Sequence, residues 1–203
     1  MKKVFLFVLL VSLFAVDGQA QVVKAEYEWQ ARVRAVYVAP APYFYRSISN
    51  VEVNISETVA PEIGLSYFLS KKMSADLTVS MSTHDVEVEG GSNLGSISLL
   101  SPTLALQHHF YANNFKPYIG AGINYTSFFN EDPGDLDSIE YKNQVGYVLQ
   151  AGIDYKISDK WFINLDFRKM YLKTEVTGNN DSDNSSEVNV DPLILGFGVG
   201  MKF

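Results

Sequence analysis

The chain has 203 residues and a formal net charge of −7, with 47% hydrophobic and 13% aromatic residues against only 19% charged. That length suits one domain with a sizeable core, the apolar content argues against disorder, and a sequence pI near 4.9 leaves no electrostatic footprint for nucleic acid. The absence of cysteine excludes disulfides, thiolate metal sites, a catalytic thiol and a lipidated Cys after a leader.

The chain begins with Met1-Lys2-Lys3, an almost unbroken apolar stretch from Val4 to Val16, and Gly18-Gln19-Ala20. A basic start, a short apolar run and small residues three and one before a cut are the pattern of a secretory signal peptide. Residues 1–20 are therefore expected to be a cleaved address and 21–203 the mature domain. A membrane anchor would need roughly 20 apolar residues, and Asp17 ends this run too early.

Beyond Ala20 the polarity alternates with period two, the signature of strands with two unlike faces. The first strand sets Trp29, Ala31, Val33, Ala35 and Tyr37 against Gln30, Arg32 and Arg34. A second runs from Glu62 to Leu69, and after Ser70-Lys71-Lys72-Met73 a third carries Ala75, Leu77, Val79 and Met81. The fourth, about Leu100 to Tyr111, turns at Asn113-Asn114 into the fifth, about Pro117 to Phe129. The sixth alternates from Gln144 to Ile157 and turns at Ser158-Asp159-Lys160; the seventh spans Trp161 to Tyr171 and the eighth Leu193 to Phe203.

Short turns alternate with longer connections at about 39–60, 87–98, 130–142 and 173–188, which are rich in Asp, Asn, Ser and Gly. The expected fold is all-β: an eight-stranded antiparallel transmembrane barrel with short periplasmic turns and long extracellular loops. A secreted ligand-binding barrel would alternate too, but with its apolar face inward. The aromatics decide between them. Trp29, Phe110, Trp161 and Phe203 fall near the short-turn rim, and Tyr37, Tyr125, Tyr147 and Tyr171 near the other, all on the apolar face. Two girdles imply two lipid interfaces.

The stretch Lys116-Pro117-Tyr118-Ile119-Gly120-Ala121-Gly122-Ile123-Asn124-Tyr125-Thr126, with Leu100-Ser101-Pro102-Thr103-Leu104 and the strand from Gln150 to Tyr155, resembles the outer membrane protein W family. The match is best from about Leu99 to Phe203. The resemblance implies a barrel of the Gram-negative cell outer membrane with a narrow apolar interior and a part in uptake of small hydrophobic molecules. Expected partners are outer-membrane lipids and lipopolysaccharide, the barrel-insertion machinery reading the C-terminal strand that ends in Phe203, and small hydrophobic molecules.

The inward parity divides into two zones. Toward the long-loop rim it carries Val36, Val38, Val86, Phe128, Val148, Met170, Leu172, Val190 and Ile194, expected to line a hydrophobic ligand cup. Lower down it carries Arg32, Arg34, Asp166 and Arg168, with Asp76, Gln107, Asn124, Gln150, Asp154 and Asn164, expected to form a polar plug. A barrel of eight strands has room for side chains or one small ligand, so a water-filled pore is not expected, and a wholly filled lumen is the competing reading. Pro40 and Pro42 on the first strand and Pro192 on the eighth would share one seam, where missing ladder donors suggest a lateral exit; Pro102 marks an alternative.

A structural or adhesive barrel and a lipid-acting enzyme are the rival functions. Acyl transfer needs a nucleophile activated by His, and of the three histidines His108 faces lipid, His109 points inward near the bottom, and His84 lies inward near the top beside Ser82. His84 is expected to be solvated, so no enzyme activity is expected. Asn179 to Glu187 lacks the spacing of a Ca²⁺ loop, and neither a metal nor a cofactor is expected.

Overall fold

Lipid offers no partner to backbone N–H and C=O groups, so strands with a continuous apolar face are stable in a bilayer only when their sheet closes. The computed structural model describes residues 28–40, 53–88, 93–132, 139–178 and 186–203, and in these the sheet closes. In chain order the strands are β1 (Trp29–Ala39), β2 (Val53–Ile55), β3 (Thr58–Phe68), β4 (Met73–Val88), β5 (Asn93–His109), β6 (Phe115–Phe129), β7 (Ile139–Tyr141), β8 (Gln144–Lys156), β9 (Trp161–Tyr171), β10 (Lys173–Gly178), β11 (Ser186–Asn189) and β12 (Leu193–Lys202). Eight of them, β1, β3, β4, β5, β6, β8, β9 and β12, are the antiparallel staves, and β1 pairs with β12 to close the ring.

Outward positions expose Val33, Ile63, Leu77, Leu104, Ile123, Leu149, Leu165 and Phe197, an apolar belt that only lipid can cover. Trp29 packs at a tilt against Tyr67, ring centroids 4.8 Å apart, and Phe115 against Tyr155 at 5.0 Å, along the short-turn rim. The turns follow their residues: Ser70 and Ser158 hydroxyls accept from Met73 N and Trp161 N, both at 3.1 Å, and Asn113 takes φ 54°, a conformation Asn tolerates. Residues 1–27 and Pro42 lie outside the described residues.

The strands run further than their sequence pattern suggests. Residues 87–98 read as a loop because of Gly90-Gly91-Ser92-Asn93, yet β4 continues to Val88 and β5 begins at Asn93, with Glu87 opposite Asn93. Short and long connections therefore do not alternate strictly. Four more short strands occupy the stretches read as solvated loops: β2 pairs with β4, and β10 pairs with β7 and β11 in a separate small sheet.

The wall is not uniformly laced. The β1–β12 ladder is continuous from Gln30↔Lys202 to Ala39↔Leu193. The β5–β6 ladder skips from Leu100↔Ser127 to Thr103↔Asn124, because Pro102 has no N–H to give. The β3–β4 ladder ends at Glu62↔Ser80 below Pro61, and β4 is rejoined from Val86 upward by β2.

Candidate solute site

Inward side chains of the lower half form a closed ionic network. Glu62 on β3 joins two guanidiniums: Arg34 Nε donates to Oε1 at 2.7 Å, and Arg168 Nη2 and Nη1 lie 2.8 and 2.7 Å from Oε1 and Oε2. Asp166 lies 2.6 Å from Arg168 Nε and accepts from Tyr118 Oη at 2.6 Å and Gln150 Nε2 at 2.7 Å. Below them Arg32 pairs with Asp76 at 3.0 Å and Asp154 at 3.3 Å, and Lys116 with Asp154 at 3.2 Å. Asn164 ties the layers, accepting from Arg34 Nη1 at 3.0 Å and donating to Asp154 at 2.7 Å. Four cations (Arg32, Arg34, Lys116, Arg168) meet four carboxylates (Glu62, Asp76, Asp154, Asp166), so these residues sum to zero charge, and all eight are buried. Phe162 and Tyr118 cover the Arg32 guanidinium at 5.4 and 5.8 Å.

The structure thus places Arg32, Arg34, Asp166 and Arg168 in one network. Sequence reasoning did not name Glu62 as a site residue, although it shares inward parity with Gly64 and Ser66 on a strand whose other face is apolar. His109 stands at the bottom, its Nε2 2.8 Å from Ser74 Oγ and its ring against Phe68.

Above the network Val36, Ala60, Met170, Leu172 and Ile194 pack into an apolar cluster, with Val38 and Val190 against it. Over this floor opens a cavity of about 740 Å³, counting its open mouth. Of the nine residues expected to line a cup, Val38, Val86, Phe128, Met170, Leu172, Val190 and Ile194 border it; Val36 and Val148 do not, being buried to 1% exposure. Pro40 and Pro192 border the cavity too, one register step beyond the last β1–β12 rung, so they end that ladder and do not interrupt it.

Four apolar neighbours escaped the sequence reading: Ile55, Ile97, Leu99 and Tyr141. Ile97 and Leu99 alternate with Ser96 and Ser98, a strand signal masked by the Gly-rich stretch before it. Tyr141, from the small outer sheet, stacks on Phe128 at 5.6 Å. Burial, and then the Glu131 carboxylate, push its phenol up to about 12, so it stays neutral.

The upper lumen is also less apolar than expected. Ser80, Ser82 and His84 from β4, Ser101 from β5 and Thr126 from β6 share the cavity lining. His84 is not solvated: it is 3% exposed, with Nδ1 2.7 Å from Ser56 O and Nε2 3.1 Å from Ser82 Oγ. Burial follows because β4 extends past it on the inward face.

Residues 29–203 match the model of the OmpW family. An outer-membrane protein of Sinorhizobium fredii, y4mB, is 34% identical over 86% of this chain and 80% of its own length. The outer membrane protein AlkL of Ectopseudomonas oleovorans is 27% identical over 77% of this chain and 71% of its own. The crystal structure of the outer membrane protein OprG from Pseudomonas aeruginosa superposes with a TM-score of 0.79 at 25% identity, covering 91% of this chain and 99% of that one.

Proposed function

Because the chain belongs to the OmpW family and is an outer-membrane β-barrel, we propose that it passively admits small hydrophobic molecules, which rest in the outer cavity and leave sideways into the membrane. The observation that carries this reading is the stacking of an apolar cavity on a dry, charge-neutral ionic network. A solute that descended past Glu62 and Arg168 would have to separate buried ion pairs and offer them nothing in return. Sideways exit keeps it in apolar surroundings throughout. Lipopolysaccharide and the insertion machinery are proposed partners on the same family grounds.

The β5–β6 break is the exit we favour. Ser101 and Thr126, one from each strand of the break, both line the cavity, whereas no β3 residue does so beside the β3–β4 break. The β1–β12 seam carrying Pro40 and Pro192 is laced up to the rim. We read the Ser82–His84 contact as solute binding and not as a nucleophile, since Nδ1 of His84 is held by the Ser56 carbonyl rather than by a carboxylate that would stabilise an imidazolium.

The test is a pair of reversible pins. Leu100→Cys with Ser127→Cys joins facing residues just above the β5–β6 break, and Val38→Cys with Ile194→Cys joins facing residues at the β1–β12 rim. Uptake of a labelled alkane by cells should stop with the first pin and return with reductant. Arrest by the second pin alone would move the exit to the proline seam, and uptake through both verified pins would refute exit at either seam.

A further inference from the structure

Among the described residues that line the cavity there is no Lys, Arg, Asp or Glu, and the buried network beneath its floor sums to zero charge. The polar groups inside are hydroxyls, from Ser80 on β4 to Tyr141 on β7, and the His84 imidazole. They serve hydrogen-bond donors and acceptors alike, but the hydroxyls cannot balance a net charge.

The mouth differs on the side where β6 meets β7. Phe128 and Tyr141 stack there with ring centroids 5.6 Å apart, and both line the cavity. Behind them Glu131 Oε1 accepts from the Tyr141 backbone N–H at 3.1 Å. Its field reaches the ring, since burial and then this carboxylate push the Tyr141 phenol up to about 12, and a field that disfavours a phenolate favours a cation. Lys142, next to Tyr141 in the chain, is occupied by Glu175 at 3.1 Å. The remaining charged residues of β7, of β10 and of the described residues just after β6 are Glu140, Lys173 and Asp132, so four carboxylates stand against two amines around the pair.

We propose that the Phe128–Tyr141 pair, backed by Glu131, holds the ammonium head of a cationic amphiphile whose alkyl tail fills the apolar cavity. The proposal rests on the uptake reading and names its substrate class. A cation over an aromatic face is attracted by the ring quadrupole, whereas a carboxylate head meets Glu131 and finds no cation in the described lining. The site also suits the exit. Phe128 lies two residues above Thr126 on β6, so the head rests over the β5–β6 break with the tail beside it. Such a solute leaves tail first, its charge staying above the outward girdle residue Tyr125.

The probes are nonylammonium, 1-nonanol and nonanoate, which have nine carbons each and differ in the charge of the head. The full chain in nanodiscs of zwitterionic lipid is titrated at pH 8, where an alkylamine is charged and an imidazole of ordinary pKa near 6.5 is neutral, while the methyl signals of Met170 and Ile97 are followed. At equal free concentration nonylammonium should bind about fivefold tighter than nonanol, the ratio given by one cation–π contact of ordinary strength, and nonanoate should bind weakest. Glu131→Gln keeps an acceptor for the Tyr141 N–H and removes the charge, and should lower the ammonium-to-alcohol ratio about twofold. Asp159→Asn, which changes the net charge equally at the opposite rim, should not. Phe128→Leu with Tyr141→Leu should bring the ratio to about one. Ammonium binding no tighter than alcohol binding in the unmodified protein, a ratio that survives either the Glu131 or the ring substitutions, or an equal loss from Asp159→Asn overturns the proposal while leaving uptake intact. Failure of all three probes to perturb either methyl overturns the uptake reading itself.

Discussion

Glu62 offers the sharpest test of the ionic network, because a single carboxylate there serves two arginines. It is 2% exposed, and its contacts to Arg34 and Arg168 are all 2.7–2.8 Å. Glu62→Ala leaves both guanidiniums to Asp166, which is 2.6 Å from Arg168 Nε but 3.6 Å from Arg34 Nη1. Removing one partner of a buried pair costs about 3–5 kcal/mol, and at about 2–4 °C per kcal/mol for a chain of this size the melting point should fall on the order of 10 °C. Urea unfolding in phospholipid vesicles, followed by the fluorescence of lipid-facing Trp29 and Trp161, measures the loss. Replacing the whole group with Glu62→Leu, Arg34→Met, Arg168→Met and Asp166→Asn, which removes two charges of each sign, should recover most of it, since buried ion clusters are commonly replaced by neutral groups without net cost. The exposed pair of Glu175 with Lys142, 3.1 Å apart, supplies the control: Glu175→Ala should cost under about 1 kcal/mol. If Glu62→Ala also stays under about 1 kcal/mol, its charges are solvated and the dry barrier beneath the cavity does not exist.

Two further substitutions probe closure and assembly. A Cβ at Gly198 would sit 2.0 Å from Val33 O and 2.7 Å from Arg34 Cα across the closing seam, so Gly198→Val should abolish the heat-modifiable folded band on gels; a normal band would mean that the seam can open to fit the side chain. Phe203 exchanges backbone hydrogen bonds with Trp29 at 3.2 and 3.0 Å, and its deletion should lower folded yield in cells more than refolding into detergent, whereas equal losses would reduce its part to packing.

The staves and their orientation were legible because lipid imposes a strict period of two: Val33, Leu165 and Phe197 cannot face inward without sending Arg34, Asp166 and lumen glycines into lipid. The plug was legible by the same parity, down to Arg32, Arg34, Asp166 and Arg168. Hidden from it was whatever depends on partners across the ring. Nothing along β3 says that Glu62 meets Arg168, which is 106 residues away. Strand length was hidden as well, since above the bilayer the outward face need not be apolar and the alternation loses its contrast. Ile97 and Leu99 were lost for that reason, and so was the burial of His84, which parity had placed inward beside Ser82. The ladder break at Pro102 could be suspected from the proline, but its neighbours had to be seen paired before it could be told from the ladder end at Pro40 and Pro192.

The two halves of the lumen also depend on each other. A one-residue slip of β1 would turn Arg32 and Arg34 toward lipid, where an arginine near the bilayer centre of a barrel costs about 2–4 kcal/mol, and it would break every pair they make below the cavity. The network therefore fixes register by cross-barrel links, among them Arg168 to Glu62 and Arg34 to Asn164, which do not rely on complete ladders higher up. That is the condition under which the outer wall can carry the interruptions at Pro61 and Pro102 without sliding. Rigidity at the base is what lets the cavity wall be incomplete, and an incomplete wall is what a sideways exit requires.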